Sequence, residues 1–471
     1  MENFWGFDVW GGFLIMAVLL ISLLVANGLK KSVKFLQASL VPTSVLAGVL
    51  ILIVSGIYSA ITGESIFDLA CFGGKGTASL EIITYHALAL GFIATSLKIS
   101  DKKLTKERNI EIFNTGVTTV STYLLQAVFG LGITILIAFI MKDFFASAGI
   151  LLPFGYGQGT GQALNYGSIY ESDYGFDGGR SFGLTIAALG FLSASIGGVI
   201  HLHILRKKGK FTPTTLVEGR IESEQVQSEN EIPMNGSMDK ITVQFAMIVL
   251  AYTLAYLVMY GLGLLLPGMR SVIYGFNFLL GVLTATLIKV VVKFLQGKSI
   301  IKKQYANNFL LTRVGNFFFD VMVVAGIAAI RLDVLKNYWG IILLLGVVGL
   351  VITYFYNLFV AKTLFKKYEN EQFLMMYGML TGTASTGIIL LREIDGEFKT
   401  PASDNLVYQN FPAIVFGFPM MLLATLAPKQ PLLTWGILLA FFVGMNILLF
   451  RSKLFGRKKG NAGIKERNEE V

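Results

Sequence analysis

Apolar residues run along this chain in long unbroken stretches rather than at helical or alternating spacing. Eleven of these stretches approach the length a helix needs to cross a hydrocarbon layer of about 30 Å. They cover roughly 13–27, 38–60, 81–98, 112–140, 181–205, 240–265, 272–293, 308–330, 338–361, 407–427 and 432–450. Two more, 147–166 and 373–391, are apolar but interrupted by Gly and Thr. Irregular backbone survives at membrane depth only where protein or a water-lined cavity satisfies its polar groups, so these two are expected to be re-entrant hairpins.

Charge tests that layout. With the N-terminus outside, 31 of the 39 Lys and Arg fall in one set of connections and the tail, 7 fall in the opposite set, and Arg313 lies within a helix. If either hairpin crossed the membrane, every later connection would change side and the bias would collapse. Both are therefore expected to enter and leave on one side, the first from outside and the second from the cytoplasm. The opening residues lack a basic region before the first apolar run, so that run is expected to be retained rather than cleaved.

An internal repeat follows from spacing. A shift of 226 carries the run starts at 13, 81, 112 and 181 to 239, 307, 338 and 407, beside the starts of the sixth, eighth, ninth and tenth runs. The same shift lays GYGQGTG (155–161) on TGTASTG (381–387) and matches Thr160-Gly161 to Thr386-Gly387. The expected fold is an all-α polytopic membrane protein of two five-helix repeats, each with a hairpin, plus one extra C-terminal helix. An odd helix number makes the repeats inverted, the hallmark of secondary transporters with a site at the repeat interface. The divisions are 1–205, a polar cytoplasmic linker at 206–239, 240–428, and a last helix with a basic tail at 429–471.

Composition removes other classes. The chain of 471 residues is 54% hydrophobic and only 14% charged, against about 25% charged in soluble domains. That excludes a soluble enzyme, a secreted disulfide scaffold and a disordered chain. The lone Cys71 can form no intrachain disulfide. The net charge of +10 sits at the ends of apolar runs, where it signals topology rather than nucleic acid.

Candidate chemistry concentrates in the hairpins. Alternate glycines in the first let backbone approach a ligand closely, and Gln158, Thr160, Gln162 and Asn165 add donors and acceptors. A tightly packed glycine turn is the alternative. In the second, Thr381, Thr383, Ser385 and Thr386 are hard oxygen ligands suited to an alkali cation, unless they bond back to their own helix. Arg392 could hold a carboxylate through two parallel hydrogen bonds, or be neutralised by Glu393 and Asp395. Arg313, Asn316 and Asp320 share one helix face, and mid-segment Asp320 is a candidate for ion or substrate coupling or for a structural pair with Arg313. Gly73-Gly-Lys-Gly-Thr77 lacks the spacing of a phosphate loop, and the three His have no partners at ligand spacing, so no metal beyond sodium and no cofactor is expected.

With two inverted repeats joined by a cytoplasmic loop, each holding a re-entrant stretch of small residues between its fourth and fifth helices, the chain resembles the sodium/glutamate symporter family. The likeness covers nearly the whole chain. It departs from the Gly-Gly-x-Gly-Gly pattern of better-known members at 155–161 and 381–387, and in its eleventh helix. The resemblance implies electrogenic uptake of glutamate with sodium across the bacterial inner membrane, commonly as a homodimer, by a transport unit moving against a scaffold. On that reading Thr160, Gly161, Thr386 and Gly387 form a symmetric floor, Gln158, Gln162 and Asn165 orient substrate, and Arg392 or Asp320 sets charge selectivity. Thr381, Thr383, Ser385, Asn316 and Asp320 would serve sodium. A dicarboxylate carrier with proton or sodium coupling, or an ion channel, are the alternatives; enzymatic chemistry is not expected.

Overall fold

The computed structural model describes residues 3–99, 105–209, 231–234, 238–396 and 399–454. Most of the linker expected at 206–239, and the basic tail from 455, lie outside the described residues. Among those described, the chain is helical, and its one β pairing is an isolated bridge between Glu231 and Gln304. Ten helices are long and apolar enough to cross a membrane, eleven when the bent pair 402–408 and 412–426 counts as one span. The protein is a multi-pass membrane protein.

The first half comprises α1 (Phe7–Ser32), α2 (Thr43–Thr62), α3 (Gly76–Ser96), α4 (Lys106–Ile140), the hairpin arms α5 (Leu151–Gln158) and α6 (Thr160–Tyr174), and α7 (Gly179–Lys207). The second comprises α8 (Lys240–Leu265), α9 (Asn277–Gly297), α10 (Asn308–Ala328), α11 (Trp339–Leu364), the arms α12 (Glu369–Thr381) and α13 (Ala384–Arg392), and the bent pair α14 (Ala402–Tyr408) and α15 (Asn410–Leu426). The bend, 52°, falls at the break around Gln409, across which Pro412 has no N–H to give the Tyr408 carbonyl. Last comes α16 (Pro431–Leu449), packed on α4.

The two halves repeat each other's contacts. α1 packs on α2 as α8 packs on α9, α2 packs on α10 as α9 packs on α3, and α7 packs on α11 as α15 packs on α4. Equated helices run antiparallel where they meet. Along α3 and α10, a Cβ on Gly91 would meet the Phe319 ring, while the Lys98 ammonium donates to Thr312 Oγ1 at 3.0 Å. Along α4 and α11, Gln126 Nε2 donates to Thr353 Oγ1 at 2.8 Å, and Asn357 Nδ2 donates to Thr122 Oγ1 at 3.4 Å. Rising numbers on one helix meet falling numbers on the other, the relation an inverted repeat requires.

Both broken stretches fold back on themselves. Eight residues of α5 rise about 12 Å and thirteen of α12 about 20 Å, short of a hydrocarbon layer of about 30 Å. In the first hairpin the Phe154 and Tyr166 rings stack across the break, 3.8 Å between centroids. In the second, Gly378 lies so close to Gly387 that a Cβ there would sit 2.8 Å from its Cα. The second arm α6 runs to Tyr174, eight residues past the hairpin end expected at 166, because Tyr166, Tyr170 and Tyr174 donate in succession to the Met421, Ala424 and Thr425 carbonyls of α15.

The turn register differs from the shift of 226. The first hairpin breaks at Gly159 and the second at Gly382 and Thr383, which is a shift of 223 or 224. Gly-Thr stands at both breaks: Gly159-Thr160 corresponds to Gly382-Thr383, not Thr160-Gly161 to Thr386-Gly387. Small-residue composition is too uniform across both hairpins to fix the register, whereas backbone conformation does. Gly159 adopts φ 80° and ψ −170°, a region open essentially only to glycine.

Candidate functional site

The two hairpin tips touch. A Cβ on Gly159 would lie 3.5 Å from Thr383 Cγ2 and 3.7 Å from the Gly382 carbonyl oxygen. Each hairpin is fastened into the opposite half. Tyr156, on α5, donates to the Gly346 carbonyl of α11 at 2.5 Å and exchanges a hydrogen bond with Ser193 Oγ at 2.8 Å. Tyr377, on α12, donates to the Ser193 carbonyl of α7 at 2.8 Å. α4 holds both tips: Tyr123 donates to the Gly157 carbonyl at 3.1 Å and Gln126 Nε2 to the Leu380 carbonyl at 3.0 Å. α7 passes close beneath, where a Cβ on Gly190 would fall 2.5 Å from the Thr381 carbonyl oxygen.

At this junction α6 and α13 begin, with no side-chain cap at Gly159 or Thr383. The leading N–H groups of both helices have no intrahelical partner and point toward the tips, while α5 and α12 end there on carbonyls. Two partly positive and two partly negative helix ends therefore converge, a combination able to hold an anionic group and a cation side by side.

A cavity of about 170 Å³ opens beside the tips. Gly157, Gln158 and Gln162 line it from the first hairpin, and Gly382, Thr383 and Ser385 from the second. Phe92, Phe278 and Phe319 supply apolar wall, and among the described residues no charged side chain lines it. Two of its amides are buried and incompletely paired: Gln162 Nε2 has no acceptor and Gln409 Oε1 has no donor. A buried polar atom without a partner costs about 1–3 kcal/mol, a cost that a polar solute reaching these two amides would relieve. The volume lies below the roughly 300 Å³ at which drug-sized pockets begin and suits a solute of few heavy atoms.

The expected site residues divide. Gln158, Gln162, Thr383 and Ser385 line the cavity. Asn165 stands one turn behind, its Nδ2 donating to Gln162 Oε1 at 3.3 Å and to the Gly275 carbonyl at 3.1 Å, so it orients Gln162. Thr160 and Gly161 seat the hairpin instead: Thr160 Oγ1 donates to the Met322 carbonyl at 3.4 Å, and a Cβ on Gly161 would collide with Leu88. Thr386 is buried with its hydroxyl 3.4 Å from Thr383 Oγ1, and Gly387 lets the arms α12 and α13 touch. Thr381 bonds back to the Tyr377 carbonyl of its own helix at 2.7 Å.

Three polar candidates stand apart from the cavity. Arg392 is exposed at the far end of α13, nine residues or about 13 Å of helix from the turn. Of the acids expected to neutralise it, Asp395 instead accepts from the backbone N–H groups of Lys399 at 2.8 Å and Thr400 at 2.9 Å, and Glu393 lies in the field of Arg206 and Lys30. Asp320 faces the Ser44 hydroxyl of α2 while its neighbours Phe319 and Met322 turn to the cavity. Asn316 and Arg313 are exposed, and the Arg313 guanidinium lies over the Phe309 ring. Asp320 makes none of the ion pairs found among the described residues, so the pair with Arg313 is not formed.

The structure adds residues that apolar averaging hides. Behind the tips, α4 and α11 share a buried polar seam in which Thr122, Gln126, Thr353 and Asn357 are hydrogen bonded and fully enclosed. It continues through Thr115 and Gln372 to Asn405, each joined to the next by a side-chain hydrogen bond of 3.0–3.1 Å. The oxygens Gln126 Oε1, Asn357 Oδ1 and Asn405 Oδ1 lack donors. The available signal is the uncharged amide in mid-span: Gln126 and Asn357 sit well inside apolar runs, where polar side chains are kept for helix contacts or function. Among the described residues no group of three or more His, Cys, Asp or Glu could hold a metal ion. No family model matches the chain, and no curated protein matches it.

Proposed function

We propose that the chain is a secondary active transporter that carries glutamate or a similar small carboxylate in symport with sodium across the bacterial inner membrane. On this reading the N-terminus is outside, the C-terminus is cytoplasmic, and the protein works as a homodimer without cofactor or enzymatic step. One observation carries the proposal: two oppositely anchored hairpins meet tip to tip beside a small cavity whose wall offers an unpaired donor, an unpaired acceptor and no charged side chain.

The substrate carboxylate would take the free N–H groups at the start of α6 or α13 together with Gln162 Nε2. An amino group would donate to Gln409 Oε1. Sodium, a hard cation, would take hydroxyls such as Thr383 and Ser385 and the carbonyl ends of the hairpin arms. With no arginine or lysine on the wall, the net negative charge of an acidic substrate would be balanced by the ion bound beside it, which is a physical reason for coupling. Alternating access follows if the hairpins, with α7 and α15, move against the remaining helices.

Counterflow in proteoliposomes tests this, with candidate acids screened while sodium is varied at constant pH. Saturable exchange of a small carboxylate that rises with sodium is the expected result. Unsaturable flux would make the protein a channel, and exchange that follows the proton gradient but ignores sodium would make it a proton-coupled carrier.

A further inference from the structure

A second cavity, of about 300 Å³, lies at the end of the molecule where the basic connections cluster, walled by α9, the residues just after α3 and the residues just before α10. Lys98, Lys289 and Lys293 line it, with Gln296, Gln304 and Tyr305, and among the described residues no carboxylate does. Lys98 and Lys289 are half-buried. Among the described residues their ammonium groups make neutral hydrogen bonds, Lys98 to Thr312 Oγ1 at 3.0 Å and Lys289 to the Lys98 carbonyl at 3.2 Å. Burial pushes the Lys98 ammonium down from its ordinary value, with no acid among the causes to lift it back.

The inverted repeat supplies an internal comparison. At the opposite end, α2, the end of α10 and the residues before α3 wall a corresponding cavity of about 640 Å³. There the cations Arg331 and Lys336 are matched by Asp68 and Asp333, and Arg331 pairs with Asp333 at 3.1 Å. Among the described residues, the same architecture is charge-balanced at one end and lined by cations alone at the other. Topology accounts for lysines near a cytoplasmic face, but it gives no reason to half-bury two of them in one pocket without a counter-charge.

We propose that this pocket binds a phosphate group between Lys98, Lys289 and Lys293. The group comes from an acidic phospholipid or from free phosphate. The lipid source has a second support. The outer face of α9 beside the pocket exposes Leu287, Val290, Val291 and Phe294, an apolar strip on which acyl chains would lie while the headgroup enters sideways.

Native mass spectrometry of the full chain, loaded with phosphatidylglycerol or phosphatidylethanolamine, separates the possibilities, with thermal melting in inorganic phosphate as a parallel arm. The expected result is preferential retention of phosphatidylglycerol, weakened on the order of five-fold for each lysine removed in K289Q/K293Q. K302Q/K303Q, charges on the same face that do not line the pocket, would leave retention within about two-fold of the parent. Stabilisation by phosphate that is lost in K289Q/K293Q, without lipid discrimination, would support the site and identify the free ion as its source. Equal retention of both lipids with no phosphate effect, or equal losses in the two double variants, would overturn the proposal. K98Q serves if K289Q/K293Q does not fold.

Discussion

Gln162 and Gln409 carry the sharpest expectation at the scale of single residues. Each leaves one polar atom buried and unpaired, which is a cost to folding and an asset only if a ligand completes it. Replacing either with Leu should therefore leave the melting temperature unchanged or raise it, while the KM for substrate rises on the order of ten- to a hundred-fold. Uptake kinetics beside thermal melting check both halves; a stability loss with unchanged KM would make the amides purely structural. Asn357→Leu is expected to differ. It removes the amide from which Thr122 accepts, leaving that hydroxyl its bond to the Thr118 carbonyl, and interrupts a shared seam, so it should lower stability by about 1 kcal/mol, measurable as reduced thermal stability in detergent. Arg392 tests the opposite point. Its side chain is exposed at the far end of α13 and does not line the cavity, so Arg392→Ala should leave the KM for substrate unchanged in uptake assays.

At the scale of elements, the proposal places the activity in the turns rather than the arms. Gly159→Ala forces a Cβ into a backbone region that non-glycine residues avoid, at a cost of about 1–3 kcal/mol and at the point where the two tips touch. Gly175→Ala, at φ 68° with open space around it, should cost about 1 kcal/mol and leave transport intact. Comparing counterflow rates of the two variants at matched expression tests whether tip geometry carries the activity. The spanning elements were readable because hydropathy and charge bias are averages over many residues: the run expected at 240–265 is α8 to the residue, and that at 308–330 is α10 to within two. The tips were not readable at residue level. Which glycine turns is set by a single backbone conformation, and Asp320 drew attention as a mid-span charge although Phe319 and Met322 occupy the face that meets the cavity. Gln126 and Asn357 escaped because a neutral amide scarcely dents an apolar window.

For the whole molecule, inversion fixes which surfaces share a compartment. In a Cys71→Ser background, single cysteines at Glu64, after α2, and Lys298, after α9, should label from opposite sides of the membrane, although each follows the second helix of its repeat. Labelling of both from one side would remove the inversion and, with it, the proposed transport cycle.

The exchange of hairpins between halves also bears on how the protein is made. The Gly346 carbonyl that accepts from Tyr156 lies 190 residues later in the chain. At about 5–20 residues per second, a ribosome needs roughly 10–40 s to deliver it. During that interval the nascent first hairpin has its contacts with Tyr123 and Ser193 but none of its anchors in the second half, and lipid offers no substitute for those. This segment therefore completes its seating only after most of the polypeptide has emerged.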